Sequence, residues 1–346
     1  MVKGTSTLHN IQVLRAFAAL LVVMHHAYPH YKAMGGDVYS VQFISEWGFI
    51  GVDIFFVISG FIMAYTTFEK ERGFKNATLF LKHRLLRIYL GYWPFFMAML
   101  VLLFITNPSH LKSLDIVGSF FLLNVNMFEL ILPVSWSLSY ELYFYFLFLF
   151  TFFLTVKQLR IVVPMVILLL LLAAIYTHNN PTMTEPFFYS HFLLEFFLGV
   201  ILYAYKRYFL KNWILVVAPI IIVFCIWYGI THETKNGLYR ILTFGTASFF
   251  MILSALILES KNIYAKNVYF ESLGNASYTL YLSHLIILQL FYFSGLRNVF
   301  TSSNSTVLPL LGFLCIFALC IIFSLIYYKR IEKPMYQKAI QFKRAV

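Results

Sequence analysis

Arg15 and His26 are separated by ten residues in an apolar run that contains the stretch LRAFAALLVVMHH, residues 14–26. A neutral imidazole is suited to taking the proton of a hydroxyl near neutral pH. A guanidinium fork suits phosphate and carboxylate geometry. On a helix, eleven residues bring His26 to within about 20° of Arg15 and roughly 16 Å further along the axis, whereas His25 is rotated about 80° from that line. Arg15 and His26 therefore share one stripe, so His26 is the preferred base and His25 the alternative. Arg84 and Arg87 in LKHRLLRIYL lie three apart on one helix face. They read either as headgroup-seeking arginines or as a phosphate clamp. Asp53 in GVDIFFVISGF, Glu141 in SWSLSYELYFY, and His191 with Glu195 at i, i+4 are further titratable groups within apolar runs. Each such group costs roughly 2.5–3.5 kcal/mol on insertion scales, which makes it a site candidate. His191 and Glu195 read equally well as a pair that satisfies itself.

The elements that must position these groups follow from composition. The 346 residues are 61% hydrophobic and 12% charged, outside the range of soluble domains. Apolar runs able to cross a core of about 30 Å recur throughout. They fall near 11–29, 44–65, 89–106, 136–155, 161–177, 187–205, 213–231, 238–258, 275–294 and 307–328. The expected fold is an all-α polytopic membrane protein of about ten transmembrane helices. IVGSFFLLNV at 116–125 is too short to cross and reads as a re-entrant or interfacial segment. The first run, broken by Arg15 and ending in paired histidines, does not read as a removable signal peptide. Segments on the side of the two termini carry 20 of the 26 Lys and Arg residues, which predicts both termini to be cytoplasmic. The net charge of +12 then reflects topology and attraction to anionic lipids, with no nucleic-acid partner required. Cys225, Cys315 and Cys320 lie in apolar runs and form neither a disulfide nor a zinc pattern. The many tyrosines and phenylalanines read as lipid-facing bulk and interface belts. With no repeat, linker or appended soluble domain in view, residues 1–346 read as a single domain.

Five motifs stand in order: Arg15 with His26; GVDIFFVISGFI at 51–62; Arg84 and Arg87 followed by IY; WSLSYELYFY at 136–145; and SYTLYLSH at 277–284. In that order and spacing the chain resembles the acyltransferase-3 family of integral-membrane O-acyltransferases, from residue 11 to about 330. The resemblance implies a multi-pass protein of the plasma (inner) membrane, a single transmembrane acyltransferase domain. It would transfer a small acyl group, acetyl by family frequency, from acyl-CoA to a carbohydrate or lipid-linked glycan hydroxyl. It implies His26 as the essential base, Arg15, Arg84 and Arg87 as donor-binding groups, and Glu141 as the acid of a motif opened by Trp136. Ser277, Tyr281 and His284 match a late motif. Asp53 or Glu141 would orient the histidine ring, and Ser59 and Ser277 are the serines to watch for a covalent acyl intermediate. One departure is Leu90, where the family often has proline; here Pro94 follows four residues later.

Rival readings fare less well. A transporter or flippase of a lipid-linked sugar predicts inverted repeats, which the sequence does not display. His110 and Asp115 in HLKSLD mimic another acyltransferase pattern, yet fall in an outer loop. A catalytically silent structural partner would not be expected to keep the whole polar set. No histidine–glutamate pair has zincin spacing, so no metal is expected.

Overall fold

The computed structural model describes residues 8–180, 187–264, 266–302 and 305–341. Lys3, Lys343 and Arg344, which entered the charge count, lie outside these residues. Each of the ten apolar runs is helical. They form α1 (His9–Ala33), α2 (Tyr39–Thr67), α3 (Phe74–Thr106), α4 (Trp136–Leu149) and α5 (Val156–His178). Then come α6 (His191–Ala204), α7 (Ile214–Thr231), α8 (Gly237–Ser260), α9 (Ser277–Phe293) and α10 (Val307–Tyr327). Helix is the form in which a single segment satisfies its own backbone groups in hydrocarbon. Val216, Ile220 and Val223 make an exposed apolar stripe along α7, as lipid contact requires.

Among the described residues, eight spans are long and apolar enough to cross a membrane by themselves, α6 being counted with the 3-10 turn before it as Phe187–Ala204. A ninth arises if α9 is joined to Val268–Asn275, from which it is bent by 72°. The tenth expected span is α4, only 14 residues long, continued by a 3-10 turn over Phe150–Phe153. Helix α3 runs unbroken for 33 residues with Pro94 inside it.

The chain divides into two compact units that interleave along the sequence. One holds Met1–Arg15, Val52–Phe80 and Tyr143–Glu271; the other holds Ala16–Gly51, Leu81–Leu142 and Ser272–Val346.

In the first unit, α2 and α6 meet backbone to backbone. A Cβ on Gly60 would lie 1.8 Å from the Phe196 carbonyl oxygen, and one on Gly199 would lie 2.0 Å from that of Val57. Small residues are what permit such approach between helices. At the start of α1, the backbone N–H groups of His9 and Asn10 donate to the Glu259 carboxylate at 3.0 and 2.7 Å. An acid there suits the positive end of the helix dipole.

In the second unit, Gly48 and Gly51 play the corresponding role. A Cβ on either would lie 2.2 Å from the carbonyl oxygen of Leu21 or Ala18 on α1. The segment expected to be re-entrant or interfacial contains a six-residue helix, Ile116–Phe121. Asp115 caps it, accepting from Gly118 N–H at 2.8 Å, which gives that residue of HLKSLD a structural role. The helix docks on α3 through three donors on one face. Tyr89, Tyr92 and Trp93 donate to the carbonyls of Phe121, Ser119 and Phe120 at 2.9, 2.8 and 3.2 Å.

Candidate functional site

The second unit gathers three imidazoles. His25 and His26 sit on α1, their rings edge to face at 5.1 Å. Gly48 and Gly51 let the start of α2 approach α1 closely enough for His25 Nδ1 to lie 2.9 Å from the Ser45 carbonyl oxygen. His26 Nδ1 lies 2.9 Å from the Val22 carbonyl oxygen, one turn back on its own helix. His284 on α9 places Nε2 3.3 Å from His26 Nδ1 and its own Nδ1 3.1 Å from the Leu280 carbonyl oxygen.

A carbonyl oxygen only accepts, so each of these Nδ1 atoms carries the ring proton when the imidazole is neutral. The remaining lone pair is then on Nε2. In His284 that lone pair faces the Nδ1–H of His26. In His26 it is the lone pair left to take up a proton. His26 is half-buried and His284 fully buried.

The late motif forms one face of α9, since Ser277, Tyr281 and His284 fall at i, i+4, i+7. All three are buried. Tyr281 donates to the Val134 carbonyl oxygen at 2.9 Å and lies 2.7 Å from Ser137 Oγ. The motif opened by Trp136 thus meets the late motif through its serine. The Trp136 ring packs edge to face on Tyr140, and Glu141 lies within electrostatic reach of Tyr281. Ser277 Oγ is buried and makes no hydrogen bond among the described residues.

Arg87 of the arginine pair meets the same helix one residue away, at Tyr278. Arg87 stands over the Tyr278 ring at 5.9 Å, and Tyr278 donates to the Ile88 carbonyl oxygen at 2.9 Å. Gly91 makes room for that ring, because a Cβ there would lie 2.3 Å from it. Both arginines are half-buried on α3. Thr279, the next residue, donates to the buried carboxylate of Glu332, which ends a π-helical turn over Tyr328–Glu332.

The first unit holds the other candidates. Asp53 is fully buried, and both its oxygens accept from Arg240, at 2.8 Å each from Nε and a terminal nitrogen. Arg240 also donates to the Lys235 carbonyl oxygen at 3.1 Å and stands 5.0 Å over the Phe192 ring. It immediately precedes a second π-helical turn, Ile241–Gly245. Such turns are rare and concentrate at functional or constrained places. The Glu195 carboxylate packs against Gly245 in that turn, while His191 packs on the Phe192 ring at 4.0 Å. Ser59 is half-buried on α2. Arg15 donates to Gln12 Oε1 at 3.3 Å. Among the described residues, no three of His, Cys, Asp or Glu gather as a metal site.

Sequence reasoning passed over Arg240, Thr279 and Glu332 as site residues. For Arg240 a signal existed: a charge within a span needs a partner, and Asp53 was another such charge. Glu332 gave no comparable signal, since it stands among the basic residues that follow α10.

A family model described as an acyltransferase domain matches residues 8–329, nearly the whole chain. Searches of curated proteins and of solved structures returned no match. With the motifs in order, an all-helical membrane fold and the match over residues 8–329, the chain belongs to the acyltransferase-3 family, as a membrane-type acyltransferase.

Proposed function

We propose that this acyltransferase moves a small acyl group, acetyl in the first instance, from cytoplasmic acyl-CoA to a hydroxyl of a cell-surface carbohydrate or lipid-linked glycan. In this reading it works in the plasma membrane as a single transmembrane domain with both termini in the cytoplasm. The observation that carries the chemistry is the His26 ring, whose Nδ1 is tied to the Val22 carbonyl while Nε2 keeps its lone pair. That is the protonation state a general base needs.

The guanidinium groups of Arg84 and Arg87 suit the phosphates of the donor. Arg15 is a donor-binding candidate through the family resemblance. The acceptor oxygen attacks the thioester carbonyl as its proton passes to His26 Nε2. Collapse of the tetrahedral intermediate breaks the C–S bond, and the proton passes from the imidazolium to the departing sulfur. Ser137, Tyr281 and Trp136 brace the two helices that carry Glu141 and His284.

The test is transfer from labelled acetyl-CoA by purified, detergent-solubilised protein to a panel of glycan acceptors. Wild type is compared with His26→Ala and His25→Ala. Activity lost with His26→Ala and kept with His25→Ala supports the assignment. Loss with His25→Ala alone moves the base by one residue. Wild type that neither binds nor turns over acetyl-CoA, with unacylated glycans in cells, overturns the reading.

A further inference from the structure

The geometry points to His284 as the positioning residue of the base, an imidazole in the place where a carboxylate commonly orients a catalytic histidine. The inference rests on the assignment of His26 above and goes one step beyond it. His284 Nε2 lies 3.3 Å from His26 Nδ1, and the Leu280 carbonyl, 3.1 Å from His284 Nδ1, keeps that Nε2 unprotonated in the neutral ring. The His26 Nδ1–H is therefore shared between the Val22 carbonyl and a second imidazole. When His26 takes the acceptor proton on Nε2 it becomes an imidazolium, and its Nδ1–H then bonds more strongly to the neutral nitrogen of His284. The proton stays within the pair until the thiolate takes it back, so charge and protons balance without a further reactant.

The surroundings support this assignment. The ring of His284 is fully buried, with Tyr281 at 6.1 Å and the His26 ring at 4.9 Å. Both carboxylate oxygens of Asp53 are engaged by a guanidinium, that of Arg240, within its own unit.

Replacement tests the role. In His284→Gln the amide oxygen can occupy the position of Nε2 and still accept from His26; in His284→Phe only the Val22 carbonyl remains to accept. Acetyl transfer by His284→Phe should fall about 100-fold in kcat, with KM for acetyl-CoA and acceptor within about threefold. His284→Gln should keep kcat within about tenfold of wild type. Equal losses in the two variants, or full activity in His284→Phe, overturn the proposal. Thermal unfolding and gel filtration of both variants separate loss of chemistry from loss of fold.

Solid-state 15N NMR of the histidine-labelled wild-type chain gives a result that needs no folded His284 variant. The expected finding is a proton on Nδ1 of His26, with a correlation across to His284 Nε2. A proton found on His26 Nε2 instead overturns the proposal. Absence of transfer by wild type, or full activity in His26→Ala, marks failure of the functional reading itself and removes the basis of this inference with it.

Discussion

Replacing Asp53 with asparagine keeps the volume of the side chain and removes its charge. Arg240 then remains as a buried guanidinium, with two donors that each held a charged acceptor at 2.8 Å. Its bond to the Lys235 carbonyl and its position over the Phe192 ring can persist. They compensate for part of the loss at most. Hydrogen bonds to charged groups contribute about 1.5–3 kcal/mol each. Breaking a buried ion pair from one side costs about 3–5 kcal/mol, so Asp53→Asn is expected to destabilise by that amount. Arg240→Gln should cost about as much, because it leaves a carboxylate buried in place of a guanidinium. The double variant, Asp53→Asn with Arg240→Gln, removes both charges and leaves two amides able to bond one another. It should be more stable than the sum of the single losses predicts, with a coupling of about 2 kcal/mol or more. The assay is SDS titration of the four chains in mixed micelles, followed by tryptophan fluorescence and far-UV circular dichroism. Single losses below about 1 kcal/mol that simply add would refute the argument that this pair pins α2 to α8. Acetyl transfer by the double variant then separates the two roles of Asp53: activity that returns with stability assigns it to the fold, and activity that stays lost assigns it to the reaction.

Two further outcomes are expected. Gly60→Ala and Gly199→Ala place a methyl 1.8 and 2.0 Å from backbone oxygens that cannot step aside, so each should destabilise by about 1–3 kcal/mol or more; a thermal midpoint unchanged from wild type would show that α2 and α6 do not pack as described. Arg84→Gln and Arg87→Gln should raise KM for acetyl-CoA about tenfold or more while leaving kcat within a few fold, and Arg87→Lys should recover only part of the loss because an ammonium lacks the planar fork that binds phosphate bidentately; steady-state kinetics with varied acetyl-CoA measures both, and a fall confined to kcat would remove the pair from donor binding.

Composition and run length were enough to establish an all-helical membrane protein and to locate its ten apolar helices, because the tendency to leave water is a sum over residues within one segment. The same reasoning marked His26, Asp53, Glu141 and Arg84 with Arg87, since a polar group in hydrocarbon is expensive wherever it stands. Ser277, Tyr281 and His284 came from the family resemblance, as its late motif. What the sequence left open was which groups meet. Asp53 finds Arg240 across 187 positions, Ser137 finds Tyr281 across 144, and His284 finds His26 across 258. Apolar side chains do not choose neighbours strongly in lipid, where tails and leucines are alike as surroundings. The choice falls to close packing at small residues. Gly48 and Gly51 bring α2 onto α1, Gly60 and Gly199 bring α2 onto α6, and Gly91 admits the ring of Tyr278 to α3. Those contacts set the rotation of each helix about its axis, and rotation decides whether an imidazole faces lipid, a carbonyl or another imidazole.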